Sequence, residues 1–276
     1  MSLLWRNHLR IGLCPDRLIV AGYCRSLRQH EAHKDIVPTR GEAALDEPGS
    51  DYARWHAAVE ALPLALAQSD PQKLEVTVIL SNHFVRYALL PWNAELKSEE
   101  EWQSLAHHRL GSVYGPNVED WALQQSKTSP EGARVVCAAD RPMLEALSQK
   151  ISACGATLVS VQPYLMSAFN RVRTRIGNEC CWLVLEERGR LTLVLFRRGS
   201  WQAIRSRRVD CSWTSQLPEI LEREQAILGV EEPCTQAFVY SESEIDSWSA
   251  GTYRFVDLTL ASDAAEGDRA FAMALG

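Results

Sequence analysis

Strand-like and helix-like apolar patterns alternate along this chain, and their order occurs twice. Alternation with a period of two predicts strands at residues 9–14, 17–24, 74–81, 84–90, 133–138 and 157–161, and a second set at 181–186, 190–196, 201–209, 237–240 and 254–258. A weaker strand pattern at 35–38 precedes a polar linker at 39–51. Each set offers three strands, a helix and a further strand in the same order, so we expect two related α/β units.

Helix signals separate these strands. The helices are expected at residues 51–67, 98–110, 140–155, 163–176, 218–229 and 268–275. The first pattern is interrupted near Pro63, and the second opens with Ser98 and Glu101 at the spacing of a capping box. Pro218 is expected to begin the fifth helix and Gly229 to end it, because proline suits a first turn and glycine adopts the left-handed conformation.

Composition limits the functions that the chain can have. Its 276 residues include 29 basic and 35 acidic side chains, a net charge of −6, with 46% hydrophobic residues. This balance is typical of a folded chain and argues against binding nucleic acid or anionic lipid through overall charge.

The N-terminus lacks the apolar core of a signal peptide, and no uncharged run approaches the roughly 18 residues of a membrane span. We therefore expect a cytosolic protein whose eight cysteines, none in a C-x-x-C pair, are reduced thiols.

The two α/β units together predict a duplicated actin-like, or ribonuclease H-like, fold. Such a fold has two lobes, each with a mixed sheet flanked by helices. The first lobe is expected at residues 1–162, with an insertion at about 83–130. The second is expected at 163–276 and includes the connecting helix at 163–176.

Several segments resemble the PilM-type proteins of type IV pilus assembly and the cytoplasmic part of GspL-type proteins of type II secretion. Residues 136–147 and 155–171 are similar to the family's strand, helix, strand, helix passage, 183–199 to the hairpin that follows, and 270–276 to its terminal helix. The resemblance implies an actin-like ATPase fold that acts as a cytoplasmic platform, peripheral to the inner membrane. The implied partner is the short cytoplasmic tail of a single-span, PilN-like membrane protein, and a pilus or secretion ATPase is a further candidate. Since the chain ends at Gly276 without a span, we expect the PilM arrangement.

The resemblance also locates the nucleotide-binding elements, and these depart from the family pattern. At the first turn the metal-side aspartate falls at Cys14 and the following glycine at Asp16. A thiol is a poor ligand for Mg²⁺, and a carboxylate repels phosphate. At the second turn the pattern places aspartate at Glu186, glycine at Arg188 and threonine at Thr192, and only the threonine is retained.

The third element of the family is a Gly-Gly turn that admits adenosine. It aligns with residues 240–243, which include Glu242 and no glycine, so side chains are expected to fill the space. These departures predict a non-catalytic scaffold without a cofactor. The alternative is an actin-like ATPase with a divergent site that binds ATP with Mg²⁺, since Glu186 could reach a metal and Arg188 a phosphate.

Aromatic residues concentrate in the insertion. Phe84, Tyr87, Trp92 and Trp102 form a candidate partner surface, because aromatic side chains are enriched in interface cores. A small separate core beneath the insertion would explain the same pattern.

Basic residues concentrate elsewhere. Ten arginines and three glutamates between residues 171 and 208 give that segment a net charge of +7. Arg197, Arg198, Arg205 and Arg207 form a candidate basic docking face for an acidic partner or for lipid headgroups. Charge that protects an exposed sheet edge explains the pattern equally well. A nucleic-acid-binding module is the third functional hypothesis, although nucleic acid is not an expected partner.

No metal site is expected. His30 and His33 stand at i and i+3, which would place both on one face of a helix, but no third ligand accompanies them. We expect both to be solvated.

Overall fold

The computed structural model describes residues 7–25, 30–39, 51–67, 74–127, 132–176, 180–230, 232–243, 245–258, 269 and 272–275. The strands are β1 (Asn7–Leu13), β2 (Arg17–Arg25), β3 (His30–Pro38), β4 (Leu74–Leu80), β5 (Val85–Leu90), β6 (Trp121–Lys127), β7 (Arg134–Asp140), β8 (Thr157–Pro163), β9 (Cys181–Glu187), β10 (Arg190–Arg197), β11 (Ser200–Arg208), β12 (Gln236–Ser241), β13 (Trp248–Ala250) and β14 (Tyr253–Asp257). The helices are α1 (Asp51–Glu60), α2 (Leu62–Leu66), α3 (Glu99–Tyr114), α4 (Arg141–Ala153), α5 (Tyr164–Ile176), α6 (Trp213–Leu228) and α7 (Ala272–Leu275), with a 3-10 helix at Pro116–Asp120.

Two sheets share one topology. The first has the order β3-β2-β1-β4-β8 and the second the order β11-β10-β9-β12-β14-β13. In each, the first three strands are antiparallel neighbours, and the next two pair in parallel. Strand β13 adds an antiparallel edge to the second sheet. The duplicated mixed-sheet architecture predicted from the order of segments is therefore confirmed.

A third sheet belongs to the insertion. It has the order β5-β7-β6, with both pairs antiparallel, and it packs with α3 around a separate small core that contains Trp102, Leu110 and Trp121. The alternation in β7 was readable, but β6 has a half-polar sequence and was not predicted. The sheet extends to Asp140, beyond the expected end of the insertion at about 130.

The central helix α5 lies between the sheets of the two lobes. Leu165 and Val172 of α5 join the main core, which also contains residues of the first sheet. Strand β9 alternates between two cores, since Leu183 faces the main core whereas Trp182 and Val184 face a second core shared with α6. Every residue of β9 is buried, as expected for a strand covered on both faces.

Several helix ends follow the sequence signals, although α3 runs to Tyr114, beyond the expected end at residue 110. The capping box of Ser98 and Glu101 is present, the break near Pro63 separates α1 from α2, and Gly229 ends α6 in the left-handed conformation with φ +63°. The prediction that Pro218 begins α6 is wrong, because the helix starts at Trp213 and contains the proline. Burial of Trp213 and of the next turn in the second core offsets the backbone hydrogen bond that proline cannot donate.

One strand is longer than expected, and several predicted segments lie partly outside the described residues. Strand β3 begins at His30, well before the weak pattern at 35–38, because it pairs with β2 along its whole length. Most of the linker at 39–51, the residues just after 176 and most of 259–271 lie outside the described residues. Within the described residues, no helix combines the length and apolar character that a membrane crossing requires.

The expectation that all cysteines are reduced is wrong. Cys180 and Cys234 form a disulfide with their Cα atoms 5.3 Å apart and a sequence separation of 54. They precede β9 and β12, which are parallel neighbours, so the pairing depends on sheet topology and not on a local motif. Spacing alone could not reveal it.

Candidate functional site

Two hairpin turns face each other across the cleft between the lobes. The first connects β1 to β2 through residues 14–16, where the Cys14 N–H donates to the carbonyl of Arg17 at 3.0 Å. The second connects β9 to β10 through Arg188 and Gly189, with Gly189 at φ +77°. Glycine adopts this left-handed conformation without steric cost, so it permits the tight turn that projects Arg188 into the cleft.

Charged side chains hold the mouth of the cleft closed. Asp16 of the first lobe accepts hydrogen bonds from Arg17 at 2.9 Å and from Arg188 of the second lobe at 2.7 Å. Arg17 also pairs with Glu242, which follows β12 in the second lobe. The Asp16 side chain is only 9% exposed. The lobes are thus joined by alternating acidic and basic groups at the position where the fold would present backbone N–H groups to phosphate.

A buried carboxylate joins the lobes beneath these ion pairs. The Ser81 hydroxyl donates to Glu187 at 2.6 Å, and the backbone N–H of Asn82 donates to it at 3.1 Å. The Tyr87 hydroxyl donates to Asn82 Oδ1 at 2.6 Å, which fixes the amide. Burial raises the pKa of Glu187 to about 7, since loss of hydration outweighs the hydrogen bonds that favour the charged form. Glu187 therefore titrates near neutral pH inside the lobe interface.

The position of the family's first aspartate is part of the core. Cys14 is buried with its thiol 3.6 Å from the sulfur of Met273 in α7. Burial raises the pKa of the Cys14 thiol, with a further contribution from the charge of Glu187, so the thiol stays protonated. A neutral buried thiol packs as a small apolar group and does not bind Mg²⁺.

The side chains of the third element pair with neighbouring groups. Tyr240 and Glu242 turn away, toward the Arg269 carbonyl and Arg17, and the two serines between and after them are small. An open pocket of about 640 Å³ therefore remains beside the β9–β10 turn, lined in part by Glu186, Arg188 and Ser243. Of residues 240–243, only Ser243 lines this pocket.

The remaining predicted positions of the second turn are buried. The Ser241 hydroxyl donates to Glu186 at 2.7 Å, and burial raises the pKa of Glu186. Thr192 is fully buried, and its hydroxyl has no hydrogen-bond partner among the described residues. Thr192 therefore does not face open space, whereas Glu186 lines one side of the pocket beside the β9–β10 turn.

The space left between the two turns is too small for a triphosphate. It measures about 10 Å³, about the least that holds one water molecule. It is enclosed by Cys14, Asp16, Arg17, Ser81, His83, Glu187, Arg188 and Glu242. The turn residues therefore do not fit ATP with Mg²⁺ in this arrangement, because two carboxylates and two guanidinium groups already occupy the position by pairing with one another.

The candidate partner surface in the insertion needs correction. Phe84, Tyr87 and Trp102 are buried, with Trp102 covered by the guanidinium of Arg134 at 4.1 Å from the ring centre. Phe84 and Tyr87 belong to the main core and Trp102 to the small core of the insertion, so little of each side chain is exposed. Trp92 is 47% exposed and remains available.

The candidate basic face is partly neutralised. Arg197 pairs with Glu232 at 3.1 Å and Arg205 with Glu224 at 3.3 Å. Arg205 and Arg207 lie on β11, the edge strand of the second sheet, and Arg198 lies in the β10–β11 turn at φ +51°. The arginines are spread along an edge and a turn and do not form one uniform face.

The histidine pair lies on a strand. Both His30 and His33 belong to β3, a strand, so the spacing that was expected for a helix does not apply. In the described part of the chain, no three His, Cys, Asp or Glu residues cluster in a way that could hold a metal ion.

Comparison with solved structures identifies the fold. The chain matches a PilM–PilN type IV pilus biogenesis complex with a TM-score of 0.61 and 12% identity over 99% of this chain and 97% of that one. It matches the cytoplasmic domain of EpsL, an inner-membrane component of the Vibrio cholerae type II secretion system, with a TM-score of 0.57 and 16% identity over 92% and 90% of the two chains. A Bacteroides thetaiotaomicron protein with an actin-like ATPase fold and unknown function matches with a TM-score of 0.55 and 12% identity over 87% and 83%.

These matches confirm the actin-like fold and the predicted resemblance to PilM-type and GspL-type structures. No protein-family model matches the sequence, and no curated protein matches it. At 12 to 16% identity, the likeness concerns the fold.

Sequence reasoning missed the residues that close the cleft. It singled out Asp16 but not Arg17, and Glu186 but not the deeper Glu187. The missed partners of Glu187 follow β4, far away in sequence. The adjacent acids Glu186 and Glu187 at the end of a buried strand were the one available signal. Neighbouring residues of a strand face opposite sides of the sheet, so one of the two acids must point into the interior.

Proposed function

We propose that this protein is a non-catalytic cytoplasmic scaffold of a type IV pilus or type II secretion assembly platform. In this role it docks the cytoplasmic tail of a single-span, PilN-like inner-membrane protein and is held at the membrane through that partner. A pilus or secretion ATPase is a second candidate partner. The observation that carries the proposal is the match over nearly the whole length of the chain to a structure of a PilM–PilN complex.

The closed cleft supports the non-catalytic part of the proposal. An actin-like ATPase needs backbone N–H groups and a metal-bound carboxylate around the phosphates. Here Asp16 and Glu242 occupy that position and are neutralised by Arg17 and Arg188. Binding a nucleotide and Mg²⁺ at this position would require breaking the ion pairs that join the two lobes. We therefore infer that the protein acts through its surfaces.

The docking role is tested with synthetic peptides. Fluorescein-labelled peptides that reproduce the cytoplasmic tails of single-span proteins encoded beside this chain are titrated with the full chain, and anisotropy is recorded with and without Mg-ATP. We expect one tail to bind saturably and equally in both conditions, and its scrambled version not to bind. Binding that appears only with Mg-ATP, or no binding by any of the tails, would contradict the proposal.

The second candidate function is nucleotide binding at an altered site. The pocket of about 640 Å³ beside Glu186 and Arg188 favours it, since the pocket could accept a ligand without opening the ion pairs. Thermal unfolding with Mg-ATP distinguishes the two functions, because a ligand that binds only the folded state raises the melting temperature. If nucleotide binds there, Glu186→Ala reduces the rise and the exposed control Glu219→Ala does not.

A further inference from the structure

A long groove separates the insertion from the second lobe. One wall contains β5, the edge strand of the insertion sheet, and the other contains β11, the edge strand of the second sheet. The groove encloses about 1120 Å³, more than the roughly 300 to 1000 Å³ of a small-molecule site. Its size and its two sheet edges suit a segment of polypeptide better than a compact ligand.

The charge of the groove is opposite to that of the protein. Six arginines line it: Arg86, Arg109, Arg190, Arg205, Arg207 and Arg208. Among the described residues, no aspartate or glutamate lines it. The whole chain carries −6, so this concentration of positive charge is a local feature of the groove. Like charges confined in a concave surface raise the local potential and attract an acidic ligand.

Apolar side chains are exposed along the same groove. Trp92 is 47% exposed, Val113 62% and Tyr114 37%, and all three line the groove from the insertion side. Exposed tryptophan, tyrosine and arginine are the residue types that contribute most binding energy in protein interfaces. Their combination with two sheet edges supplies apolar contacts, ionic contacts and backbone hydrogen-bonding groups in one place.

We propose that this groove binds an extended, acidic segment of a partner protein, in which carboxylates alternate with apolar side chains. The apolar side chains contact Trp92, Val113 and Tyr114. Since Arg205 already pairs with Glu224, the carboxylates pair with Arg207 on the β11 wall and with Arg109 on the insertion side. A single-stranded nucleic acid could also use arginines and aromatic rings. The exposed aliphatic Val113, the sheet edges and the net charge of −6 favour a peptide. The proposal depends on the residues of this groove and not on a pilus or secretion role.

The test uses a labelled peptide that alternates leucine and glutamate, titrated with the full chain in an anisotropy assay. We expect saturable binding that weakens as salt is added. The double variant Arg109→Glu and Arg207→Glu should weaken it by about tenfold or more, since it places like charges against the peptide. The matched control Arg173→Glu and Arg175→Glu reverses two exposed arginines on α5, outside the groove, and should bind as the unmodified protein does.

Further variants and probes distinguish a loss of charge from misfolding and test other ligands. Arg109→Gln and Arg207→Gln should weaken binding by less than the reversal does, and Trp92→Ser should weaken it without changing the salt dependence. Unchanged melting temperatures exclude misfolding as the cause. Equal binding by a leucine–lysine peptide, tighter binding by oligothymidylate, or equal loss in the α5 control would overturn the proposal.

Discussion

Ionisation of Glu187 should make the stability of this protein depend on pH in an unusual direction. The carboxyl is buried between the lobes and accepts hydrogen bonds from Ser81 and from the backbone of Asn82. Its pKa rises from an ordinary value of 4.5 to about 7 because burial disfavours the charged form. The folded protein therefore holds the proton more tightly than the unfolded chain does. The stabilising contribution is full below pH 4.5 and is lost as the pH rises through about 7.

The size of the effect follows from that pKa. At about 1.4 kcal/mol for each pH unit, a rise from 4.5 to about 7 corresponds to a loss of about 3 kcal/mol between pH 4.5 and pH 8. Glu187→Gln keeps the size of the side chain and a hydrogen-bond acceptor but removes the titration. The variant should therefore gain stability relative to the unmodified protein as the pH rises from 5 to 8, because only the unmodified protein loses the contribution of Glu187.

The assay is urea unfolding at pH 5, 6, 7 and 8, with the free energy of unfolding compared between the two proteins at each pH. All other titrating groups are common to both, so the difference isolates Glu187. Glu145→Gln, on the exposed side of α4, is the matched control and should give a profile parallel to that of the unmodified protein. A constant difference between the unmodified protein and Glu187→Gln from pH 5 to pH 8 would refute the reasoning.

Three other sets of substitutions test the fold around the cleft. Replacing Cys180 and Cys234 by serine should lower the free energy of unfolding by about 4 kcal/mol for a bridged loop of 54 residues, and dithiothreitol should lower it equally in the unmodified protein only. Arg17→Ala leaves two carboxylates facing each other and should cost about 2 kcal/mol, whereas Arg188→Ala, with a mostly exposed side chain, should cost less than about 1 kcal/mol by urea unfolding. Gly12→Ala places a Cβ atom 2.8 Å from a methionine sulfur of α7 and should lower the melting temperature at a cost of about 1 kcal/mol. A stability unchanged by any of these would show that the corresponding contact is not formed.

The duplicated architecture was predictable because it depends on local patterns. Strand β1 alternates polar and apolar residues, β4 and β9 are mostly apolar, and the capping box of α3 is legible in four residues. Strand β6 was missed because its last four residues are all polar and extend no apolar alternation. Pro218 misled the prediction because burial of Trp213 extends α6 before it.

Of the cleft, the sequence predicted only that the residues of a phosphate site are absent. The residues that a phosphate site needs are absent at Cys14 and Asp16, and this is visible in the sequence. What replaces the site was not visible, since Asp16 meets Arg188 across a separation of 172 residues. The disulfide and the arginine-lined groove could not be predicted for the same reason. The disulfide depends on the pairing of β9 with β12, and the groove depends on the approach of β11 to β5.

Calorimetric titration with a nonhydrolysable ATP analogue and Mg²⁺ examines the closed cleft most directly. With the lobes joined through Asp16, Arg17, Arg188 and Glu242, we expect no saturable heat up to millimolar nucleotide at neutral pH. Saturable one-to-one binding at micromolar concentration, lost on Glu186→Ala, would contradict the account and identify a working nucleotide site.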